Sequence, residues 1–410
     1  MTSNEESTYN NTMSFSVQDS TIGLTAAFPI MAAVFISFMV IGMALPVLPL
    51  QVHNVLGFGT FVVGSVAGCQ FVASLISRIW AGRLTDTRGS KYAVRLGLWI
   101  AIAGGIFYSV SCFILKTPMM SVLALFIGRT LLGGAESLII TGGILWALQL
   151  VAEDRSAKVI AWVGMSMFAA LAAGAPLGSF VFEKWHFLGI AIATIFMSFA
   201  TLLLLKPVHS FIPKTSSYKA GIATVINLVS LPGAGFALSG ITFGAITTFL
   251  TLFFSVKNWN HGALAFTLFA IMLIVTRILF GHLPDRFGGA KVSLYCLILQ
   301  AVGLVLIGTA HLIWIAMLGA AISGAGFSLV FPGLGIEAIK RVPLENRGLA
   351  MGVYNAFLDV TLGFGSPALG YLAAKFGLES VFLVSAIAAI LAVPVSIRIL
   401  MLRNVTKAAI

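Results

Sequence analysis

Charge is what this chain has least of. Asp, Glu, Lys and Arg together make up 9% of its 410 residues, against 59% hydrophobic ones and a mean hydropathy of +1.04. A water-soluble fold of this length could not hide so much apolar surface, so the chain belongs in a bilayer. Cysteine is scarcer still. Cys69, Cys112 and Cys296 all lie in apolar runs at no metal-ligand spacing, which argues against a disulfide framework or zinc site and for structural packing. The histidines are scattered too (His53, His186, His209, His261, His282 and His311), and neither a P-loop nor a catalytic-triad pattern occurs. No enzyme, cofactor or metal is expected, and work must come from an ion gradient. Residues 1–27 hold no Lys or Arg, so they lack the basic start of a signal peptide and read as a disordered tail. A membrane sensor would need a further soluble domain, and neither this tail nor the stretch after Arg403 is long enough to form one.

What is present is apolar sequence in about twelve runs of bilayer-spanning length, roughly 20 residues each. Six precede the polar stretch Lys206–Lys219, and six follow it. The predicted organisation is a tail (1–27), a six-helix bundle (28–206), a linker (207–220), a second six-helix bundle (221–403) and a short tail (404–410). An amphipathic segment is expected from Ile222 to Val229, ahead of Pro232 and the seventh span. The net charge of +11 need not imply nucleic acid. With both termini cytoplasmic, 19 of the 24 Lys and Arg fall on inner loops and the C-terminus. Only Lys116, Lys184, Lys257 and Lys375 fall outside, and Arg129 falls within the membrane. The positive-inside rule then accounts for both charge and orientation.

Two repeats explain the doubled architecture. Arg78-Ile79-Trp80-Ala81-Gly82-Arg83-Leu84-Thr85-Asp86-Thr87-Arg88-Gly89 returns 199 positions later as Arg277 to Gly288, both reading R-I-x-x-G-x-L-x-D-x-x-G. Gly174-Ala175-Pro176-Leu177-Gly178 is echoed by Gly365-Ser366-Pro367-Ala368-Leu369-Gly370. Two pseudo-symmetric halves enclose a cavity, and rocking one against the other exposes it to alternate sides. The predicted fold class is therefore an all-α membrane protein of twelve transmembrane helices in two six-helix bundles.

The first repeat, with Gly82, Leu84, Asp86, Gly89 and Lys91, resembles the loop signature G-x-L-x-D-x-x-G-x-K of the major facilitator superfamily. Leu125 through Gly133, built around Arg129, is similar to that superfamily's fourth-helix pattern. Gly174, Pro176 and Gly178 resemble its antiporter motif in helix five. With Pro46-Val47-Leu48-Pro49, these features are typical of twelve-helix drug–proton antiporters. Gly134-Ala135-Glu136-Ser137, Pro284-Asp285-Arg286-Phe287-Gly288-Gly289 and Lys340-Arg341-Val342-Pro343 resemble the YfcJ/YhhS-like branch. Three positions depart from the patterns: Leu132 stands where a Gln is usual, Ala175 precedes Pro176 in place of Gly, and Thr87 replaces an Arg. The resemblance implies a bacterial inner-membrane, monomeric, proton-coupled exporter of a small organic molecule, such as a drug, sugar or metallophore-like metabolite. A symporter importing a metabolite is the alternative. It also implies that Arg129 participates in proton coupling.

Ionisable groups at mid-membrane cost about 2.5–3.5 kcal/mol on insertion scales and so mark function, a wet cavity or a paired partner. Here they are Arg129, Glu136 and Asp359. Arg129 and Glu136 are seven residues apart, close to one helix face and about 10 Å apart along the axis, so both can line one cavity. Glu136 and Asp359 are the candidate proton carriers. The alternatives are a static Arg129–Glu136 pair and an Asp359 held by Asn355 one turn earlier. Glu337 reads as an ordinary surface partner of Lys340 and Arg341.

The gating candidates are Asp86, Gly82, Gly89, Arg88 and Lys91 in the first repeat, with Asp285, Gly281 and Arg286 in the second. Each Asp, between two helices, can cap backbone N–H groups of a neighbouring helix, or merely mark a tight turn. Gly174, Pro176 and Gly178 either seal the cavity by close packing or simply kink a helix. Substrate-contact candidates are Gln70, Trp146, Thr247, Thr248, Tyr354 and Asn355, with packing as the competing role for the aromatic pair.

Overall fold

The computed structural model describes residues 28–150, 156–208, 222–343 and 346–408. The tail 1–27 and most of the linker 207–220 lie outside the described residues. Among the described residues the chain is helical, with no strand. The first half begins with α1 (Phe28–Val55), which ends in a π-helical turn at Gln51–Val55. It continues with α2 (Thr60–Arg88), α3 (Ser90–Phe113) and α4 (Pro118–Gln149). The next helical stretch, Ser156–Leu204, has 49 residues, and a straight helix of that length would run about 73 Å, more than twice the hydrocarbon thickness. It breaks at His186, where φ is 53° and ψ is −159°, giving α5 (156–185) and α6 (187–204).

The second half comprises α7 (Ile222–Val256), α8 (Gly262–Phe280), α9 (Gly289–Gly308), α10 (Ile313–Ile339), α11 (Arg347–Phe376) and α12 (Leu378–Ala408). A five-residue helix, Leu283–Phe287, links α8 to α9. Ten helical stretches among the described residues are long and apolar enough to cross a bilayer. The break at His186 supplies one more span, and α11 is the twelfth. Asn355, Asp359 and five glycines dilute the hydropathy of α11. Large side chains such as Phe113, Ile278 and Trp314 are 73–76% exposed, which suits a surface solvated by lipid chains.

The expected amphipathic segment before Pro232 is not separate. It forms the start of a single 35-residue α7 that runs through Pro232. Val225 and Val229 face inward while Thr224, Ile226 and Asn227 are exposed, so the amphipathic pattern is real. A proline inside a helix removes one backbone hydrogen bond and need not end it where neighbouring helices pack around the bend.

Duplication is visible in the backbone itself. Gly89 (φ 90°, ψ 155°) and Gly288 (φ 95°, ψ 137°) close the two copies of the repeat in nearly the same conformation, one that side chains essentially forbid. Each turns the chain directly into the next helix. Gly89→Ala is expected to destabilise the fold by about 1–3 kcal/mol. Thermal unfolding in detergent would show a lowered midpoint, and an unchanged midpoint would refute the strain argument.

Within the first half α4 packs on α2 and α3, and α3 on α6. Within the second, α9 packs on α10 and α12, α8 on α10, and α7 on α11 and α12. The halves meet along α2 with α11, α5 with α8, and the end of α1 with α7.

Candidate functional site

The seam between α2 and α11 is built from glycine. A Cβ placed on Gly64 would lie 2.2 Å from the Ser366 carbonyl oxygen, and one on Gly68 would lie 2.5 Å from that of Gly363. At the end of α2 remote from the basic repeat, the Thr60 hydroxyl donates to the Gly370 carbonyl at 2.8 Å. Backbone-to-backbone contact of this kind is what small residues permit between membrane helices. Two links between α1 and α7 lie at the same end: Thr251 Oγ1 donates to the Pro46 carbonyl at 2.7 Å, and Asn54 Nδ2 donates to Ser255 Oγ at 3.0 Å.

Further along the seam, near mid-membrane, Arg78 on α2 reaches Asp359 on α11. Its Nε donates to Asp359 Oδ2 at 2.8 Å and its Nη2 to the same oxygen at 2.5 Å. The Arg78 side chain is 18% exposed and that of Asp359 is 5% exposed, so the pair is largely removed from solvent. Sequence reading assigned Arg78 to a basic loop and missed it. The available signal was its position four residues before Gly82, still inside a 29-residue helix. Asp359 is thus held across the interface by Arg78 and not by Asn355, which stands partly exposed one turn away.

Glu136 has a different setting. Gln70 on α2 donates its Nε2 to Glu136 Oε2 at 2.8 Å, and Gln70 is fully buried. Beside the carboxylate is a cavity of about water size, bordered by Ser37 and Ile41 of α1, Ala101 of α3, Leu132 and Ile139 of α4 and Ser198 of α6. Asp359, Arg78 and Arg129 lie within electrostatic reach. Among the described residues the carboxylate's hydrogen bond comes from a neutral amide, not a cation.

Arg129 and Glu136 do not share this cavity, contrary to the expectation from their spacing. Arg129 is fully buried and its Nη2 approaches the Ala67 carbonyl on α2 at 3.5 Å. Its guanidinium lies within electrostatic reach of Tyr108 and Cys69. The helical rise explains the separation: seven residues leave about 10 Å of axis between the two, and each takes its partner on α2 at its own depth. Nε and Nη1 of Arg129 have no hydrogen-bond partner among the described residues.

Four of the proposed substrate contacts sit in packed surroundings. Trp146 is fully buried beneath Lys91, whose ammonium is 5.9 Å from the indole centroid, at the basic end of α4. Tyr354 is fully buried, stacked on Phe236 at 4.7 Å, with its hydroxyl donating to the Phe331 carbonyl at 3.1 Å. Thr247 turns its hydroxyl back onto the Phe243 carbonyl at 2.7 Å, and Thr248 is likewise buried. Gln70 alone touches a proposed carrier. Glu337 is also buried, at 6% exposure, because the basic end of α10 packs among α7, α9 and α11. The expected surface pairing with Lys340 or Arg341 is therefore wrong.

The loop motifs occupy helix ends. Asp86 is exposed in the last turn of α2, which runs on to Arg88, and Asp285 is exposed within the short helix Leu283–Phe287. Both acids therefore lie inside helices, not in the loops expected for them. Arg88 donates to Tyr92 Oη at 2.9 Å, and Arg286 stacks over Phe287 at 5.3 Å. Lys91 Nζ donates to the carbonyls of Lys206 at 3.1 Å and Val208 at 2.5 Å, tying the start of α3 to the end of the first half. A Cβ on Gly82 would meet nothing within 4 Å, whereas one on Gly281 would lie 2.3 Å from the Arg277 carbonyl oxygen.

Gly174 and Gly178 press α5 against α1. Cβ atoms there would lie 2.5 Å from the Met39 carbonyl and 2.0 Å from that of Met43, while Pro176 is partly exposed. The echo on α11 faces α2 instead, across the interface between the halves.

Residues 30–266 and 261–409 match the family described as the Major Facilitator Superfamily. The uncharacterized MFS-type transporter STM4428 of Salmonella typhimurium strain LT2 is 36% identical over 364 residues, which is 89% of this chain and 94% of that protein. The uncharacterized MFS-type transporter YhhS of Escherichia coli K12 is 38% identical over 353 residues, 86% of this chain and 87% of that one. Among solved structures, a mutant of the nucleoside transporter NupG superposes with a TM-score of 0.71 at 14% identity, over 91% of this chain and 99% of that chain. The human organic anion transporter MFSD10 gives 0.63 at 12% identity, again over 91% and 99%. At such identities the solved structures bear on the fold alone.

Proposed function

The chain belongs to the major facilitator superfamily, and on that premise we propose a proton-coupled antiporter that exports a small organic molecule by alternating access. That it is a multi-pass membrane transporter and not an enzyme follows from the family. The coupling mode, direction and substrate are our reading. The observation that carries it is Glu136, a buried carboxylate bonded to the neutral Gln70 beside a water-sized cavity. Among the described residues no cation is bonded to a group so placed, and it can gain a proton from one side and lose it to the other as the halves rock.

In this reading Glu136 carries the proton, and Arg129 supplies a fixed positive field at a neighbouring depth. Asp86, Arg88, Lys91, Gly82 and Gly89, with Asp285, Arg286 and Gly281, form the two hinges at the basic end. That end faces the cytoplasm by the positive-inside rule, in the inner membrane of a bacterium, with both termini inside. Arg78 and Arg277 leave the loop count because they are bonded within the helix packing, to Asp359 and to the Ser328 carbonyl, yet the charge excess keeps its sign. Export rests on the resemblance of Gly174, Pro176 and Gly178 to an antiporter motif, and the close approach of the two glycines to Met39 and Met43 of α1 is the packing a sealed wall would need.

Proteoliposomes preloaded with compounds from a panel of drugs, sugars and metal-chelating metabolites test this directly. With liposomes in which the cytoplasmic face lines the lumen, acidifying the outside is expected to drive the exported compound out. Accumulation under the same gradient would instead establish the symporter.

A further inference from the structure

We propose that the cavity beside Glu136 is a water site, and that a water held there by Ser198 of α6 and Ser37 of α1 hands the proton to the carboxylate. The proposal rests on the proton-coupled reading above and deepens it. Glu136 is the carrier, and the two serines are positioning residues for the molecule through which it is loaded.

Ser198 supplies the first argument. Its neighbours on α6 turn their hydroxyls back onto the preceding helical turn, Thr194 Oγ1 donating to the Ile190 carbonyl at 2.8 Å and Thr201 Oγ1 to the Met197 carbonyl at 2.7 Å. Hydroxyls in membrane helices commonly do so, because hydrocarbon offers them no other partner. Ser198 stands between these two residues and is 2% exposed, yet its hydroxyl makes no bond among the described residues and its side chain borders the cavity. A buried hydroxyl left without a partner is costly, so one turned away from its own backbone needs something to bond.

Convergence is the second argument. Glu136 gives Oε2 to the Gln70 amide, and its Oε1 takes no hydrogen bond among the described residues. Ser37 donates its hydroxyl to the Ala33 carbonyl at 2.7 Å, which leaves its oxygen free to accept. A water in this space can donate to Glu136 and to Ser37 and accept from Ser198. Three bonds are the usual number for a buried water. A second cavity of similar size, bordered by Leu171 of α5, Phe243 of α7 and Phe269 and Leu273 of α8, has no polar side chain in its wall and is expected to stay dry.

The walls give the third argument. Every residue around the Glu136 cavity comes from α1, α3, α4 or α6, all in the first half, whereas the apolar cavity is walled by both halves. Substrate sites in such doubled folds lie between the halves. A proton loaded from inside one half does not contest that space. Asp359 of α11, Arg78 of α2 and Arg129 of α4 lie within electrostatic reach of Glu136. Of the other walls, α6 carries no ionisable residue and α1 only His53 at its far end; α3 carries Lys91, Tyr92 and Arg95 near its basic start and Tyr108 and Cys112 toward the other end. None of these borders the cavity.

In the loading step a hydrated proton from the aqueous phase reaches the held water. One O–H bond of the resulting hydronium breaks, its hydrogen bonds to Glu136 Oε1, and a neutral water and a neutral carboxylic acid remain. Release is the reverse, and neither serine changes its own protonation.

The full chain in lipid nanodiscs tests this without a substrate. Hydroxyl radicals generated by X-ray pulses oxidise side chains that touch bound water, even deep inside a protein. Phe38 and Leu132 border the Glu136 cavity and are expected to be oxidised; Phe269 and Leu273 border the apolar one and are not, although all four are buried. Ser198→Ala removes a hydroxyl that has no protein partner, so the variant should unfold at the wild-type temperature yet lose the labelling of Phe38 and Leu132. Infrared spectroscopy after a rapid drop in pH, following the carboxylic-acid band that Glu136→Gln deletes, should show protonation slowed at least about tenfold in Ser198→Ala. Unlabelled Phe38 and Leu132 in the wild type, or labelling that survives Ser198→Ala, overturns the water site. An unchanged protonation rate in that variant overturns the relay. If Glu136→Gln deletes no band, the carrier reading fails, and the labelling still decides the water site.

Discussion

Replacing Glu136 with Gln is expected to abolish accumulation driven by a pH gradient while leaving substrate exchange intact. One proton per substrate carries about 1.4 kcal/mol per pH unit, enough to sustain a tenfold concentration ratio. Without a titratable carrier that ratio collapses to one, whatever gradient is imposed. The substitution is structurally mild, because the Gln70 amide that bonds Glu136 at 2.8 Å can bond the new side-chain carbonyl equally well. Counterflow of labelled substrate at equal pH on both sides measures exchange, and uphill flux under a one-unit gradient measures coupling. A variant that still concentrates its substrate tenfold would remove Glu136 from the carrier role. A variant that loses exchange as well would show that the carboxylate serves binding and not coupling.

Gly64→Val is expected to produce the second large effect, by a steric route. The added Cβ would begin 2.2 Å from the Ser366 carbonyl oxygen, and no rotamer relieves a clash with backbone. Overpacking of this kind costs about 1–3 kcal/mol, enough to shift a two-state equilibrium by roughly tenfold or more. α2 and α11 must therefore part, and transport should fall by about the same factor while the protein still reaches the membrane. Gly134→Ala provides the comparison, since a Cβ there meets nothing within 4 Å. Distances between spin labels at the exposed Lys116 and His311 should lengthen in Gly64→Val and stay unchanged in Gly134→Ala. Wild-type transport and distances in Gly64→Val would show that the seam is not closed during turnover.

Most of the fold was legible because its signals are local. A run of about 20 apolar residues is a span wherever it occurs, and repetition of R-I-x-x-G-x-L-x-D-x-x-G announces two related halves. The glycines that end the repeat even predict their own backbone, as Gly89 and Gly288 show. Local reading failed where an element's environment mattered more than its content. The segment expected to stand apart before Pro232 is the start of α7, which runs on through the proline because neighbouring helices pack around it. The spans themselves were countable, α5 apart from α6 although no proline marks the break at His186, and α11 although polar residues and glycines dilute its hydropathy.

The site was half legible. Glu136 and Asp359 stand out as acids within apolar sequence, since a membrane tolerates few of them. Their partners could not be foreseen. Arg129, on the same helix as Glu136, was the natural candidate, and the structure gives that place to Gln70 from α2. Arg78 was lost among the basic residues that set topology, because a cation ten residues inside a helix end and one in a loop look alike in one dimension. Trp146 and Tyr354 carry polar atoms suited to a ligand, but both are packed inside a half.

By itself the sequence determined that this chain lies in a bilayer, that it has two six-helix halves and that Arg129, Glu136 and Asp359 are immersed, because each follows from the free energy of moving one residue or segment out of water. Only the tertiary structure decided that Arg78 bonds Asp359, that Gln70 bonds Glu136 and that glycine lines the α2–α11 seam. Those facts depend on which faces of helices some 280 residues apart are pressed together, and no local transfer energy encodes that contact.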